Sequence, residues 1–125
     1  MIKQYKPLVL AFIGDAHYNL FIKQKLIDMY QQVNILQQHV AVLCSARFQA
    51  KLSKYLLENE FFTADEATVF KCARNQKSHN APKNTDIITY KISTGFEAVW
   101  GYWYLNQCYD RFEKIWEIIE TFEEN

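Results

Sequence analysis

Two acids stand where helical patterning would place apolar residues. Asp15 is the only residue of fixed charge between Pro7 and Ile22, and on a helical wheel it shares a face with Leu8, Ile22 and Leu26. Glu97 is the only charge between Ile92 and Tyr109, inside Phe96-Glu-Ala-Val-Trp-Gly-Tyr-Trp-Tyr-Leu105. That segment is apolar all round, the pattern of a buried helix. An unpaired carboxylate is costly to bury, so each acid needs a cation, hydrogen bonds or a raised pKa. All three glycines of the chain, Gly14, Gly95 and Gly101, lie within four residues of one acid or the other. Each costs about 1 kcal/mol in a helix interior, and a return for that cost is close approach of helices or of a ligand. Two readings follow. In the first, the acids are core groups satisfied by Arg or backbone donors, and the protein is a helical interaction module. In the second they form a two-carboxylate site for a hard divalent cation, Mg2+ with Mn2+ as its substitute.

A basic stretch adds to the second reading. Lys71, Arg74, Lys77, Lys83 and Lys91 face only Asp86 in opposition and flank the segment Ser78-His-Asn-Ala-Pro-Lys-Asn84. Asn, Ser, His and Lys side chains suit phosphate and sugar hydroxyls. Beside a Mg2+ site, such a stretch suggests phosphodiester chemistry.

Helices must position these residues. Two prolines and three glycines in 125 residues, with long stretches of 3.6-residue period, predict an all-α fold and one domain spanning residues 1–125. Pro7 suits the first turn of a helix reaching about Gln32, with His17, Gln24, Lys25, Asp28 and Gln31 on its polar face. A second helical region covers Ile35–Asn59, with a break near Cys44. Thr63-Ala-Asp-Glu66 has capping-box spacing and opens a third helix to about Lys77. A fourth covers Thr85–Leu105, although Ile87, Ile88, Thr89 and Tyr90 are strand formers by propensity. The last covers Tyr109–Phe122.

Composition sets the outer limits. Half the residues are apolar and 16% aromatic, which excludes disorder. Cys44, Cys72 and Cys108 are too widely spaced for a zinc motif or a disulfide framework, so a reducing compartment is expected. Apolar runs such as Leu8–Ile13 are too short to span a bilayer, and no cleavable leader or transit peptide is expected. Fourteen basic and fourteen acidic residues give zero net charge, which at face value argues against a nucleic-acid partner. The total hides an asymmetry. Met1–Leu57 and Lys71–Lys91 together carry twelve basic residues against Asp15, Asp28 and Asp86, whereas six acids face Arg111 and Lys114 from Asp110 onward.

Phe12-Ile-Gly-Asp-Ala16 and Thr94-Gly-Phe-Glu-Ala98 resemble the two signature segments of the ribonuclease III catalytic domain. Between them, Arg74-Asn-Gln-Lys-Ser-His79, Pro82-Lys-Asn-Thr-Asp86 and Thr89-Tyr-Lys91 resemble the Mini branch of that family. Ser45-Ala-Arg-Phe-Gln-Ala50 resembles the branch's Gln-Ala segment, and Leu56–Glu66 its acidic helix start. The resemblance runs from about Leu8 to Trp116. It implies a homodimeric all-α endonuclease that cuts double-stranded RNA with Mg2+, leaving a 5′-phosphate and a 3′-hydroxyl. It also implies a catalytic region without a double-stranded-RNA-binding domain, and a role in maturing 23S ribosomal RNA precursors. That role implies a ribosomal protein presenting the RNA, in the cytoplasm, or in the plastid stroma for a plastid-encoded copy.

By the same resemblance Asp15 is the catalytic aspartate and Glu97 the metal-binding glutamate. Arg74, Lys77 and Lys83 would hold the RNA backbone, with Ser78, His79 and Asn84 reaching ribose or phosphate. Ribonuclease III proper has two further acids, where this chain has Ala11 and Thr94, a thinning the Mini branch shares. Members of that branch usually carry Glu where this chain has Asn19 and Val where it has His17. A weakened RNA-binding or ribosome-assembly module on the same fold is the alternative these departures raise.

Overall fold

Among the described residues six helices follow one another: α1 (Pro7–Ile27), α2 (Val33–Leu43), α3 (Ala46–Glu58), α4 (Ala64–Arg74), α5 (Ile87–Leu105) and α6 (Tyr109–Glu123). A computed structural model describes residues 4–77, Lys83 and 86–123, and the described residues contain no strand. The all-α expectation holds.

Local chemistry sets the boundaries. Pro7 occupies the first turn of α1, where a missing N–H costs nothing. The helix stops at Ile27 rather than near Gln32, because Met29 and Tyr30 N–H turn back onto the Leu26 carbonyl, each at 2.9 Å. That turn places Tyr30 against the core and stacks it on His39 of α2, with ring centroids 4.4 Å apart. The break near Cys44 is present: Ser45 caps α3 by accepting from Phe48 N–H at 3.1 Å. At the start of α4, Thr63 and Glu66 form a reciprocal capping box. That helix ends at Arg74, short of Lys77.

The strand-forming run Ile87–Tyr90 opens α5, because Asp86 Oδ1 accepts from Ile88 N–H at 2.9 Å and from Thr89 N–H at 3.1 Å. The Thr89 hydroxyl and backbone N–H hold the Asp86 carboxyl below the usual carboxylate range. A strong cap overrides β-propensity here.

The C-termini of α3 and α5 share one closure. Phe61 N–H reaches back to the Leu56 carbonyl at 3.0 Å, and Cys108 N–H to the Trp103 carbonyl at 2.9 Å. Both turns need a left-handed residue, normally glycine. Here Glu60 (φ 51°) and Gln107 (φ 58°) take that conformation, while all three glycines sit inside helices.

The core is built around α5, nine of whose residues are buried, including Phe96, Val99, Trp100 and Trp103. It runs antiparallel to α1, and the glycines make that contact possible. A Cβ on Gly14 would overlap the Glu97 carbonyl oxygen, and one on Gly101 would overlap the Leu10 carbonyl oxygen. Gly95 does the same against α4, where a Cβ would lie 3.0 Å from the Phe70 ring. A second anchor is charged: buried Glu66 pairs with Arg111 of α6 and accepts from Trp103 Nε1 at 2.9 Å.

His17 does not lie on the polar face of α1. It packs between Tyr104 and Phe112, with ring centroids 4.3 and 4.9 Å away, and its Nδ1 accepts from Trp100 Nε1 at 2.9 Å. Helices α5 and α6 cover that side of α1, and burial lowers the imidazole pKa.

Candidate active site

The α1–α5 glycine contact carries the two acids with it. Gly14 seats α1 on the backbone of Glu97, so Asp15, one residue on, reaches the same place. The two carboxyl groups come within hydrogen-bonding reach of each other, and Glu97 is pushed up to about 9. Burial is the largest cause; the hydrogen bond to Asp15 and its negative charge add to it. At neutral pH the folded protein therefore keeps a proton on Glu97.

The two acids differ in setting. Helical patterning gave both a buried face, but Asp15 lies at the margin of the α1 stripe and is exposed, while Glu97 is largely enclosed. Asn19, one turn on, donates from Nδ2 to Asp15 Oδ1 at 3.1 Å and to its carbonyl at 2.9 Å. Neither acid has a Lys or Arg partner among the described ion pairs. The core-acid reading allowed Arg or backbone donors, and no Arg supplies them here among the described ion pairs.

Ala11 and Thr94, the positions without acids, are both buried, and the Thr94 hydroxyl donates to the Tyr90 carbonyl at 3.0 Å. Among the described residues no group of three or more His, Cys, Asp or Glu gathers as metal ligands do. The donor set is therefore a pair of carboxylates open to solvent on one side. That matches a hard cation that keeps most of its waters and is held by one or two carboxylates.

Two further residues border the pair. Gln49 of α3 is 1% exposed, and its amide favours the charged form of Glu97. The Cys44 thiol is pushed up to about 12 by burial and then by the Asp15 charge, against the pull of Lys23. In the metal-free protein it stays protonated at neutral pH, and a soft sulfur suits a hard cation poorly. Periodicity could not reveal either neighbour, because both come from elements remote in sequence.

Arg74 ends α4, Lys91 lies near the start of α5, and Lys77 and Lys83 fall between these helices. Arg74 and Lys91 line a cleft of about 320 Å3 with Phe70, Asn75, Ile88 and Ile92. Arg74 also sits over the Phe70 ring, 5.7 Å from its centroid. Lys71, Lys77 and Lys83 are exposed. Ser78, His79 and Asn84 lie outside the described residues. A larger groove of about 940 Å3, between Tyr5, Leu10, Thr68 and Tyr102, contains neither acid. The carboxylate pair is a surface feature, accessible to an extended substrate rather than enclosed around a small one.

Among the described residues no helix is long and apolar enough to cross a membrane. Residues 8–107 match the ribonuclease III domain family. The chain is 38% identical to the Mini-ribonuclease 3 of Enterococcus faecalis, over 98% of this chain and 96% of that protein. It is 38% identical to the Mini-ribonuclease 3 of Staphylococcus aureus, over 96% and 90%. A crystal structure of a protein from Fusobacterium nucleatum superposes with a TM-score of 0.86, at 27% identity, over 98% of this chain and 97% of that one. The family match over residues 8–107 and these relatives settle the family: the chain belongs to the ribonuclease III family and is an endonuclease of that type.

Proposed function

We propose that the chain is a Mg2+-dependent endoribonuclease that hydrolyses phosphodiester bonds of double-stranded or structured RNA and matures 23S ribosomal RNA precursors in the cytoplasm. One observation carries the metal dependence: two carboxyl groups meet, one of them exposed, with no Lys or Arg paired to either among the described residues. A bound Mg2+, or Mn2+ in its place, supplies charge neutralisation at the scissile phosphate and lowers the pKa of a water molecule.

Asp15 and Glu97 hold the ion, directly or through water. Glu97 must first give up its proton, and Asp15 presents its carboxylate to solution with Asn19 fixing one oxygen. Arg74, Lys77 and Lys83 hold the RNA backbone, with Ser78, His79 and Asn84 reaching ribose or phosphate. Recognition is by helix shape, because the A-form major groove is too narrow for side chains to read.

The homodimer draws support from α1. Val9, Phe12, Ala16 and Leu20 recur at helical spacing and are all exposed, Phe12 at 80%. An apolar stripe of this kind marks an interface, and Asp15 borders it. A two-fold axis there would bring two basic surfaces to one duplex.

The test is incubation with a long RNA duplex and Mg2+, beside duplex DNA and the Asp15→Asn protein. RNA-only cleavage by the parent chain and none by the variant is expected. Equal cleavage by both removes Asp15 from its role. The weakened-module alternative draws on Ala11, Asn19 and Thr94; tight duplex binding without cleavage, even with Mn2+, would favour it.

A further inference from the structure

We propose that Gln49 is a positioning residue whose side-chain amide donates to the Glu97 carboxylate and holds it in the orientation a bound divalent cation needs. The proposal rests on Asp15 and Glu97 being the metal-holding pair. Gln49 lies on the inner face of α3, which runs antiparallel along α5, and it is 1% exposed. A buried primary amide is costly unless its donors are bonded, and Leu or Met would fill the space without that cost. Yet Nε2 makes no hydrogen bond of ordinary geometry among the described residues. Buried donors are nearly always satisfied, so one that is not requires a reason.

The reason lies beside it. The amide lies close enough to Glu97, the enclosed member of the pair, to favour its charged form, and it gains a full acceptor when that carboxylate turns toward an ion. Asp15 has the same arrangement already, with the Asn19 amide on Oδ1 at 3.1 Å. Each acid thus has a neutral amide beside it. An amide orients a carboxylate without adding positive charge, so the pair keeps the negative charge that attracts a cation. Lys or Arg in either place would cancel it. Partners of this kind orient ligating carboxylates, and their loss typically lowers metal affinity about 10- to 100-fold.

The experiment titrates Mn2+ into the full chain and follows the free ion by electron paramagnetic resonance. Gln49→Met keeps the volume and removes the donor; Gln49→Asn withdraws the amide by one methylene. Both should bind Mn2+ about 10- to 100-fold more weakly, with metal-free melting temperature retained. On duplex RNA, kcat at low Mg2+ should fall and recover at high Mg2+, with KM for RNA unchanged, since Gln49 touches no RNA. In the parent protein, the Gln49 side-chain N–H resonances should shift as Mg2+ binds, a readout that needs no variant. Wild-type Mn2+ affinity in a folded Gln49→Met protein, or resonances unmoved at saturating Mg2+, overturns the role of Gln49 alone. A parent protein that takes up no Mn2+ and cuts no RNA overturns both this role and the metal reading beneath it.

Discussion

Replacing Glu97 by Gln should make the metal-free protein more stable in alkali relative to acid, and this follows from the pair itself. In the unfolded chain Glu97 titrates near 4.5; in the folded protein it is pushed up to about 9 by burial and by Asp15. Between those values the native state holds a proton that the unfolded state has lost. Stability then falls as pH rises, by about 1.4 kcal/mol per pH unit for one group. From pH 6 to pH 8 the wild-type protein should lose about 3 kcal/mol through Glu97 alone, a large share of a small domain's total.

Glu97→Gln mimics the protonated acid and cannot titrate, so that slope should vanish. Urea unfolding of both proteins in EDTA at several pH values measures it. His17, with its pKa lowered by burial, acts in the opposite sense. Its contribution is common to both proteins and cancels in the difference. The stability difference, variant minus wild type, should grow by about 3 kcal/mol between pH 6 and pH 8. Parallel pH profiles would refute the raised pKa of Glu97 and the enclosure that causes it. Mg2+ should reverse the order, stabilising wild type by about 2.7 kcal/mol at a hundred times its Kd and leaving the variant unmoved.

Other perturbations follow from named contacts. Gly14→Ala places a methyl group on the Glu97 carbonyl oxygen; α1 must lift from α5, so cleavage should be lost and urea unfolding should show destabilisation of several kcal/mol. Arg111→Met leaves Glu66 charged and buried without its partner, at an expected cost of about 3–5 kcal/mol by urea denaturation. Gln107→Gly relieves a left-handed non-glycine residue and should raise stability by up to about 1 kcal/mol. Lys77→Ala and Lys83→Ala should weaken duplex binding, reduce the slope of log K against log salt by up to about one each, and leave the melting temperature unchanged.

The helices were legible because their signals are local. Pro7, the Thr63–Glu66 box and the apolar periods lie within a few residues of what they control. The end of α1 was harder, since Tyr30 leaves the helix to meet His39 across a turn. Asp15 and Glu97 were legible as charges out of pattern, and the glycines as the cost of bringing them together. Which acid would be exposed was not legible, because a helical wheel shows the direction of a side chain and not the edge of the element covering it. Gln49 and His17 were obscure for the same reason. A polar residue at helical spacing reads as solvent-facing until a second helix is known to cover it.

The geometry of α1 also resolves the zero net charge. His17 and Lys25 face α6, the first packed on Phe112 and the second bonded to Glu113 at 2.6 Å. Asp15 precedes His17 by two residues, roughly 200° around the helix. It therefore points away from α6, whose Asp110, Glu113, Glu117 and Glu120 are exposed. The acidic residues that balance the sum are held on the far side of α1 from the carboxylate pair. An RNA phosphate approaching Asp15 arrives on a face of α1 turned from the acidic helix. Net charge averages over that separation, and in binding a duplex the separation matters more than the average.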